Sequence, residues 1–202
     1  MGEIRNADRT RKCILDAAKA EFFEKGYSGA RIESIAQRAE VKKQLLYHYF
    51  KGKDELYDEV MGYILSQVPQ EGFMLPANPV RIAEHRFKVN SEHLLDFLRF
   101  TLLEVIDARP GNLMGEAQRK SVLQSYNNDM KEKQEMGLVP DDLDPAMLTL
   151  AISSLTIYPL IFEEVTRMIT GNLPSDSEFQ EKWTIFLQKF SERMFRNLRE
   201  NE

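Results

Sequence analysis

The sequence predicts an all-α protein made of a small N-terminal three-helix domain and a larger helical C-terminal domain. Apolar residues recur at helical spacing along most of the chain, and no stretch alternates apolar and polar residues for long enough to propose a strand. The charge also changes sign: residues 1–53 carry 12 Lys and Arg against 7 Asp and Glu, whereas residues 54–202 carry 15 against 25. We therefore predict domains at residues 1–53 and 54–202, the first basic and the second acidic.

Residues 11–23 are predicted to form the first helix of the N-terminal domain. Its apolar residues, among them Ile14, Leu15 and Phe22, share one face. Gly26 follows at a position where a left-handed glycine would end the helix. The apolar face of this helix can cover the two helices that come next.

The segment 26–56 predicts two short helices joined by a tight turn. The first carries apolar residues at i, i+3, i+4 and i+7, namely Ile32, Ile35, Ala36 and Ala39. The pattern resumes at residues 42–49, where Leu45 and Leu46 are predicted to pack inward while polar side chains point outward. This is a helix-turn-helix, whose second helix enters the major groove of DNA; the alternative is two surface helices of an ordinary helical protein. The basic balance of this domain favours the first interpretation because it attracts a polyanion.

Over about residues 11–56 the sequence resembles the TetR-type transcriptional regulators. The residues that carry the resemblance in one register are Ile14, Leu15, Ala17, Ala18, Phe22, Gly26, Tyr27, Ile35, Ala36, Ala39, Val41, Leu46, Tyr47, Tyr49, Phe50, Lys53, Glu55 and Leu56. The resemblance implies an N-terminal DNA-binding domain followed by a helical domain that binds a small molecule and dimerises.

Several positions depart from the family's pattern. Ala30 and Arg31 stand where the family usually has Thr or Ser, and Lys42 stands where it has Ser or Thr. We expect both short helices to lack a hydroxyl cap, with Arg31 and Lys42 supplying charge instead. Glu40 stands where the family has a turn glycine, which a glutamate can replace if its backbone avoids positive φ.

The register of the motif predicts how this domain meets DNA. Lys43 and Gln44 are predicted to reach base edges in the major groove, with Lys42 near the groove wall. The other candidates are expected to grip phosphates, which positions the protein without specifying a sequence. These candidates are Arg31, Tyr47, His48, Lys51 and Lys53.

The C-terminal domain is predicted to be helical throughout. The predicted helices cover residues 54–68, 80–106, 115–136, 145–162 and 176–199. The segment 145–162 carries no charge, so a membrane-spanning helix has to be weighed, but the run falls short of about 20 residues and contains Ser, Thr and Pro. We expect a helix buried in a domain core or a subunit interface, kinked or opened at Pro159, and no membrane contact.

The last two predicted helices carry apolar stripes that suit a subunit interface. The resemblance implies that they form a four-helix bundle across a two-fold axis, whereas the alternative is that both close the core of a monomer. A homodimer is also expected because one short helix reads few bases and a two-fold pair doubles the contacts. The candidate interface residues are Leu155, Phe162, Trp183, Phe186 and Phe190.

The resemblance implies that the middle helices enclose a cavity for a small-molecule effector, which we expect to be largely apolar. The first candidates for contact are Phe97, Phe100, Tyr126 and Tyr158, although core packing is the more common role of any single aromatic residue of this kind. No H-E-x-x-H, G-x-S-x-G or P-loop pattern occurs, so we expect neither an enzyme nor a cofactor or metal. A single cysteine and the polar N-terminal segment favour a cytoplasmic protein.

Together these observations predict a ligand-responsive transcriptional regulator. We expect a homodimeric repressor that binds a palindromic operator in double-stranded DNA and is released by its effector. Two alternatives stay open: a helical homodimer whose basic domain docks an acidic protein partner, and a DNA-binding activator.

Overall fold

The computed structural model describes residues 2–107 and 116–195, and every regular element in these ranges is helical. The α-helices are α1 (Gly2–Gly29), α2 (Ile32–Arg38), α3 (Lys43–Tyr49), α4 (Lys53–Ser66), α5 (Ile82–Val89), α6 (Leu95–Asp107), α7 (Glu116–Glu135), α8 (Pro145–Ile161), α9 (Glu163–Thr170) and α10 (Ser177–Phe195). Short 3₁₀ turns lie at Gln70–Phe73 and Pro79–Arg81, and a π turn lies at Asn90–Leu94. The predicted all-α class is confirmed. The end of the last predicted helix, at 196–199, lies outside the described residues.

The helices group into two compact units. Unit 1 consists of α1–α4 and α6, whereas unit 2 consists of α5, the three short turns and α7–α10, apart from single residues at helix ends. The domain boundary predicted after residue 53 lies within one residue of the start of α4 and stays a prediction.

Unit 1 is built around the apolar face of α1. Four of its residues are at most 2% exposed: Ile14, Leu15, Ala18 and Phe22. The ring of Phe22 packs against Tyr57 of α4 and Phe100 of α6, with centroids 5.0 and 6.0 Å apart. Since a buried side chain of this size contributes about 1.5–3 kcal/mol, these contacts account for much of the stability of the unit. Gly26, with φ of 66°, breaks the helical backbone as predicted, but a last turn continues to Gly29.

The short helices α2 and α3 depend on this core. Their N-cap residues, Arg31 and Lys42, make no capping hydrogen bond, which confirms the loss of a hydroxyl cap at these positions. Helices of seven residues are not stable alone in water. Ile35 and Leu46, each 0% exposed, hold α2 and α3 in the core of unit 1.

A buried carboxylate on α1 holds the start of α2. Glu21 is 1% exposed and accepts hydrogen bonds from the backbone N–H of Arg31 and the hydroxyl of Ser34. Lys25 and Arg38 lie 2.7 and 3.5 Å from its oxygens. Burial raises the pKa of Glu21, but these hydrogen bonds and charges outweigh burial, so the pKa of the carboxyl lies below its ordinary value. An ionised Glu21 therefore orients the start of α2.

The turn between α2 and α3 is closed by the backbone of residues 36–41. The N–H of Val41 donates to the carbonyl of Ala36 at 3.0 Å, which is the hydrogen bond of a Schellman turn. Such a turn needs a left-handed residue, and Glu40 takes that place with φ of 56°. Glutamate was expected to replace the family's glycine here only if its backbone avoided positive φ, and Glu40 does not avoid it. The left-handed conformation costs about 1–2 kcal/mol for a residue with a Cβ.

A buried polar contact joins the π turn of unit 2 to α8. In the π turn, Asn90 is 0% exposed, and its amide donates to the hydroxyl and carbonyl oxygens of Thr156 on α8, at 3.2 and 3.5 Å. Around it, α5 packs against α8 and α10, with the rings of Phe87 and Phe179 in contact. Because an unpaired amide would be costly there, this pair fixes the position of the π turn along α8.

The uncharged segment around α8 bends after Pro159 rather than at it. The helix ends at Ile161, and after Phe162 α9 leaves at an angle of 92°. The hydroxyl of Thr166 donates to the carbonyl of Pro159 at 3.2 Å. Within the described ranges no helix taken singly has the length and hydropathy to cross a membrane; α8 and α9 meet that test only as a bent pair.

Replacing Glu40 with Gly should stabilise the protein, because glycine adopts positive φ without steric cost. We expect the free energy of unfolding to rise by about 0.5–1 kcal/mol, since the greater freedom of glycine in the unfolded chain offsets part of the gain. Urea unfolding followed by circular dichroism measures the change. Glu40→Ala is the control, because it removes the charge and keeps the strain; a glycine variant no more stable than the alanine variant would contradict the assignment.

Candidate nucleic-acid interface

The helix α3 buries one side chain and presents nearly all of the others to solvent. Leu46 is 0% exposed, whereas Lys43, Gln44 and His48 are exposed. Because Leu46 anchors the helix from below, the opposite side of α3 is held in a defined orientation. A shallow open cleft runs along it, lined by Glu40, Val41, Lys42, Gln44, Leu45 and His48.

The sequence pattern misplaced Leu45. It was predicted to pack inward with Leu46, but it is 39% exposed and lines the cleft. The two residues are adjacent on a helix, so their side chains diverge by about 100° and only one of them can point into the core. An exposed leucine beside Gln44 can contact the methyl group of a thymine.

An ion pair joins α3 to α2 across the exposed surface. The ammonium of Lys43 contacts the carboxylate of Glu33, and it also lies 5.7 Å from the ring centroid of Tyr47. The hydrogen bond from Lys43 holds the pKa of Glu33 below its ordinary value and raises the pKa of Lys43. Glu33 therefore places a negative charge beside a residue predicted to read bases.

The cations predicted to contact phosphates differ in how free they are to move. Arg31 and Lys51 are exposed on the surface of unit 1. Lys53 is partly buried; its ammonium donates to the carbonyl of Ser28 at 3.4 Å and lies 4.6 Å from the ring centroid of Tyr27. Lys53 is thus held in place, whereas Arg31 and Lys51 can adapt to a backbone.

All eight predicted DNA-contact residues belong to unit 1. They lie at the N-cap of α2, along α3 and at its N-cap, in the turn before α4 and at the first residue of α4. A basic helix held by one buried leucine, with cations on both flanks, has the geometry of a recognition helix and its phosphate clamps. The contacts of individual residues with DNA stay predictions.

A family model described as bacterial regulatory proteins of the tetR family matches residues 14–60. The N-terminal domain of this chain is therefore of the TetR type. The matched segment covers α2 and α3 with parts of α1 and α4, so the interface described above is the helix-turn-helix of this family. The chain is accordingly a helix-turn-helix transcriptional regulator.

Similar proteins extend the comparison beyond the helix-turn-helix. The HTH-type transcriptional repressor SCO4008 of Streptomyces coelicolor is 25% identical over 169 residues, which are 83% of this chain and 86% of that protein. The structure of AibR in complex with isovaleryl coenzyme A and operator DNA superposes with a TM-score of 0.65 at 16% identity, covering 92% of this chain and 98% of AibR. The structure of PfmR from Thermus thermophilus superposes with a TM-score of 0.63 at 18% identity, covering 91% of this chain and 94% of PfmR. The two structures show that this chain shares their fold.

The four predicted effector contacts do not line one described cavity. Phe100 is 1% exposed in the core of unit 1, and Phe97 packs against the same core. Tyr126 lines a narrow cavity within unit 2, whereas Tyr158 is 46% exposed on α8 with its ring against Phe162. Of the four, Tyr126 is therefore the residue placed at a cavity.

The predicted interface residues lie on or next to α8 and α10. Phe162, Phe186 and Phe190 are exposed, whereas Leu155 and Trp183 are partly buried and joined by a hydrogen bond from the indole N–H to the carbonyl of Leu155, at 3.3 Å. Other exposed apolar residues on the two helices were not singled out from the sequence. They include Met147, Leu150, Tyr158 and Ile185.

Glu33→Gln should tighten binding to duplex DNA several-fold at low salt, because it removes a carboxylate that repels phosphates and releases Lys43. The gain should shrink as salt is raised, since both groups are exposed and screened. Fluorescence anisotropy titrations of one duplex at several salt concentrations measure the dissociation constants of the variant and the wild type. Glu178→Gln is the matched control, because Glu178 is also exposed and paired with a lysine, Lys182, but lies in unit 2. Equal gains in both variants would rule out a local effect of Glu33.

Proposed function

We propose that this protein is a cytoplasmic, ligand-responsive transcriptional repressor that binds a palindromic operator as a homodimer and is released by a small-molecule effector. The observation that supports it most directly is the exposed basic face of α3, held by the buried Leu46. The names of relatives point the same way: SCO4008 is a transcriptional repressor, and AibR was solved with an acyl coenzyme A and operator DNA.

In this proposal α3 reads the operator and its neighbours hold the backbone. Gln44 accepts and donates to adenine, Lys43 donates to guanine, and Leu45 contacts a thymine methyl. Lys42 lies near the groove wall, and Arg31, Tyr47, His48, Lys51 and Lys53 grip phosphates. Reading bases with Lys43 requires the ammonium to leave Glu33, so the carboxylate competes with DNA for the same cation.

The homodimer is proposed to form through α8 and α10. The exposed residues Met147, Leu150 and Tyr158 recur along one side of α8, with the small Ala151 and Ser154 between them. On α10, Phe186 and Phe190 stack in line with Trp183. Exposed apolar surface of this extent is typical of a subunit interface, and small residues let two helices approach closely.

The effector is proposed to act by changing the spacing of the two recognition helices. Successive major grooves on one face of DNA are about 34–36 Å apart, so a dimer binds tightly only when its two α3 helices match that distance. A ligand that binds better to a dimer with another spacing shifts the population away from the DNA-bound state. Operator release then depends on the difference in ligand affinity between the two states.

The proposed base contact predicts that Gln44→Ala relaxes sequence preference at one base pair by about 1–3 kcal/mol, while Lys51→Ala weakens all duplexes alike and lowers the salt slope by about 1. Lys51 is the better phosphate probe because Lys53 is also held by Tyr27 and Ser28. The operator is first selected from a random duplex library, and single-base variants are then titrated. An equal loss for Gln44→Ala on every sequence would contradict the base contact, and no selected duplex at all would favour the acidic-partner alternative.

The proposed interface predicts that Leu150→Glu and Phe186→Glu each weaken dimerisation at least about tenfold, because each buries a charge in an apolar contact. Sedimentation velocity over a range of concentrations measures the dissociation constant. Met74→Glu is the control, since Met74 is 67% exposed and lies outside both helices. Variants that stay as dimeric as the control would exclude α8 and α10 as the interface.

A further inference from the structure

Arg86, on α5, is a partly buried cation without an anionic partner. Its guanidinium donates to the hydroxyl of Tyr126 at 2.7 Å and to the side-chain oxygen of Asn90 at 3.4 Å, and it lies 4.6 Å from the ring centroid of Tyr126. These groups are neutral. Among the residues that the structure describes, no carboxylate pairs with Arg86; Glu84, two positions earlier on α5, instead accepts from Gln188 at 2.7 Å.

Elsewhere in unit 2 a buried cation does have its counter-ion. Lys133 on α7 is 6% exposed, and its ammonium lies 2.6 Å from the carboxylate of Asp129 one turn earlier. Arg86 departs from this arrangement. Burial lowers the pKa of Arg86, and of the surrounding groups only Tyr126 acts against that shift. Since an arginine stays charged in proteins, the positive charge of Arg86 remains uncompensated.

The guanidinium faces a narrow cavity that has a second unused polar group. Thr149 of α8 lines the cavity with Arg86 and Tyr126; it is 9% exposed, and its hydroxyl has no hydrogen-bond partner in the described part of the chain. The rest of the wall is largely apolar and includes Ile82, Met130 and Ile152. One cavity is thus lined by a partly buried cation that has no anionic partner and by a buried hydroxyl that has no hydrogen-bond partner among the described residues. Both groups can donate to an acceptor placed there.

We propose that this cavity binds a small organic monocarboxylate, whose oxygens accept hydrogen bonds from Arg86 and Thr149 while its apolar part packs against Ile82, Met130 and Ile152. The proposal rests on the proposed function, because it names the chemical class of the effector. It also refines the expectation of a largely apolar effector by adding one negative charge.

A single carboxylate fits the charges around the cavity. The planar guanidinium binds a carboxylate through two parallel hydrogen bonds. Burial and the neighbouring Arg86 lower the pKa of His85, so this residue adds no positive charge at neutral pH. One positive charge therefore matches a monoanion, whereas a phosphate dianion would leave a negative charge buried.

The cavity has to widen to admit such a ligand. As it stands, its free volume suits about one water molecule. Met130 is 1% exposed and forms part of the wall, and the unbranched methionine side chain adapts readily to a new neighbour. Short, unbranched carboxylates are accordingly expected to bind better than bulky ones.

Binding is tested on the full-length protein without DNA, by isothermal titration with straight-chain carboxylates from acetate to octanoate and with the matching primary amides. We expect at least one carboxylate to bind and its amide, which has the same shape and no charge, to bind at least tenfold more weakly. Arg86→Gln should weaken carboxylate binding at least tenfold, and Thr149→Val several-fold. Arg81→Gln is the matched control, since Arg81 is exposed on the 3₁₀ turn before α5. This variant should bind carboxylates as tightly as the wild type does.

Thermal stability without ligand checks that the variants fold, and Arg86→Met provides a second readout. Because it replaces an uncompensated charge by an apolar side chain of similar length, it should unfold at a higher temperature than the wild type while no longer binding carboxylate. No binding by any member of the series, equal binding of acid and amide, or undiminished binding by Arg86→Gln would each overturn the proposal.

A separate titration of the operator complex distinguishes this proposal from the proposed function. Carboxylates that bind through Arg86 but leave operator affinity unchanged would uphold the site and reject its role as the effector site. Neutral compounds that release the operator with Arg86→Gln as well as with the wild type would uphold the effector-released repressor and reject the carboxylate as its effector.

Discussion

The recognition helix depends on the packing of a single leucine. Nucleating a helix is unfavourable, and a helix of seven residues with no side-chain cap forms too few hydrogen bonds to offset that free energy. The helix α3 therefore persists only because Leu46 is held in the core of unit 1. The same holds for α2, where Ile35 supplies the packing and Glu21, on a neighbouring helix, accepts from the backbone N–H of Arg31. The loss of the family's hydroxyl caps has thus shifted the work of holding the motif to burial and to one buried carboxylate.

Two glutamates limit how tightly this motif can bind nucleic acid. Glu40 lines the open cleft beside α3 while its backbone is held at positive φ, and Glu33 pairs with Lys43. Both place negative charge where phosphates approach, which weakens binding to all sequences. Binding to a specific site is weakened less than nonspecific binding if Lys43 leaves Glu33 and donates to a guanine, because the guanine then replaces the lost carboxylate as the partner of the ammonium. Acidic residues at these places therefore raise the ratio of specific to nonspecific affinity while lowering affinity itself.

The sequence predicts what repeats along a helix, and misses what depends on a neighbour distant in the chain. Apolar periodicity predicted the helical class, the helix-turn-helix and the break at Gly26, because each leaves a local pattern. It did not separate Leu45 from Leu46, since the stripe of a seven-residue helix is too short to define one inward direction. Phe100 was expected at an effector site, yet it packs against Phe22. An apolar stripe in the sequence shows that a helix face is covered, but it does not show which part of the protein covers that face. Glu21 gave no sign of its contacts with α2 for the same reason.

Arg86 illustrates this limit most clearly and also what a buried charge implies. In the sequence it stands between a histidine and a phenylalanine, like any arginine on the solvent side of a helix; its burial comes from Tyr126, forty positions away. An apolar residue there would stabilise unit 2 more, so the arginine has a cost that packing does not offset. The guanidinium also donates to Asn90, whose amide fixes the π turn to Thr156, and π turns often occur at functional sites. An anion bound to Arg86 would compete with Asn90 for the same donors, so ligand binding would act on the stretch of backbone that leads directly into α6.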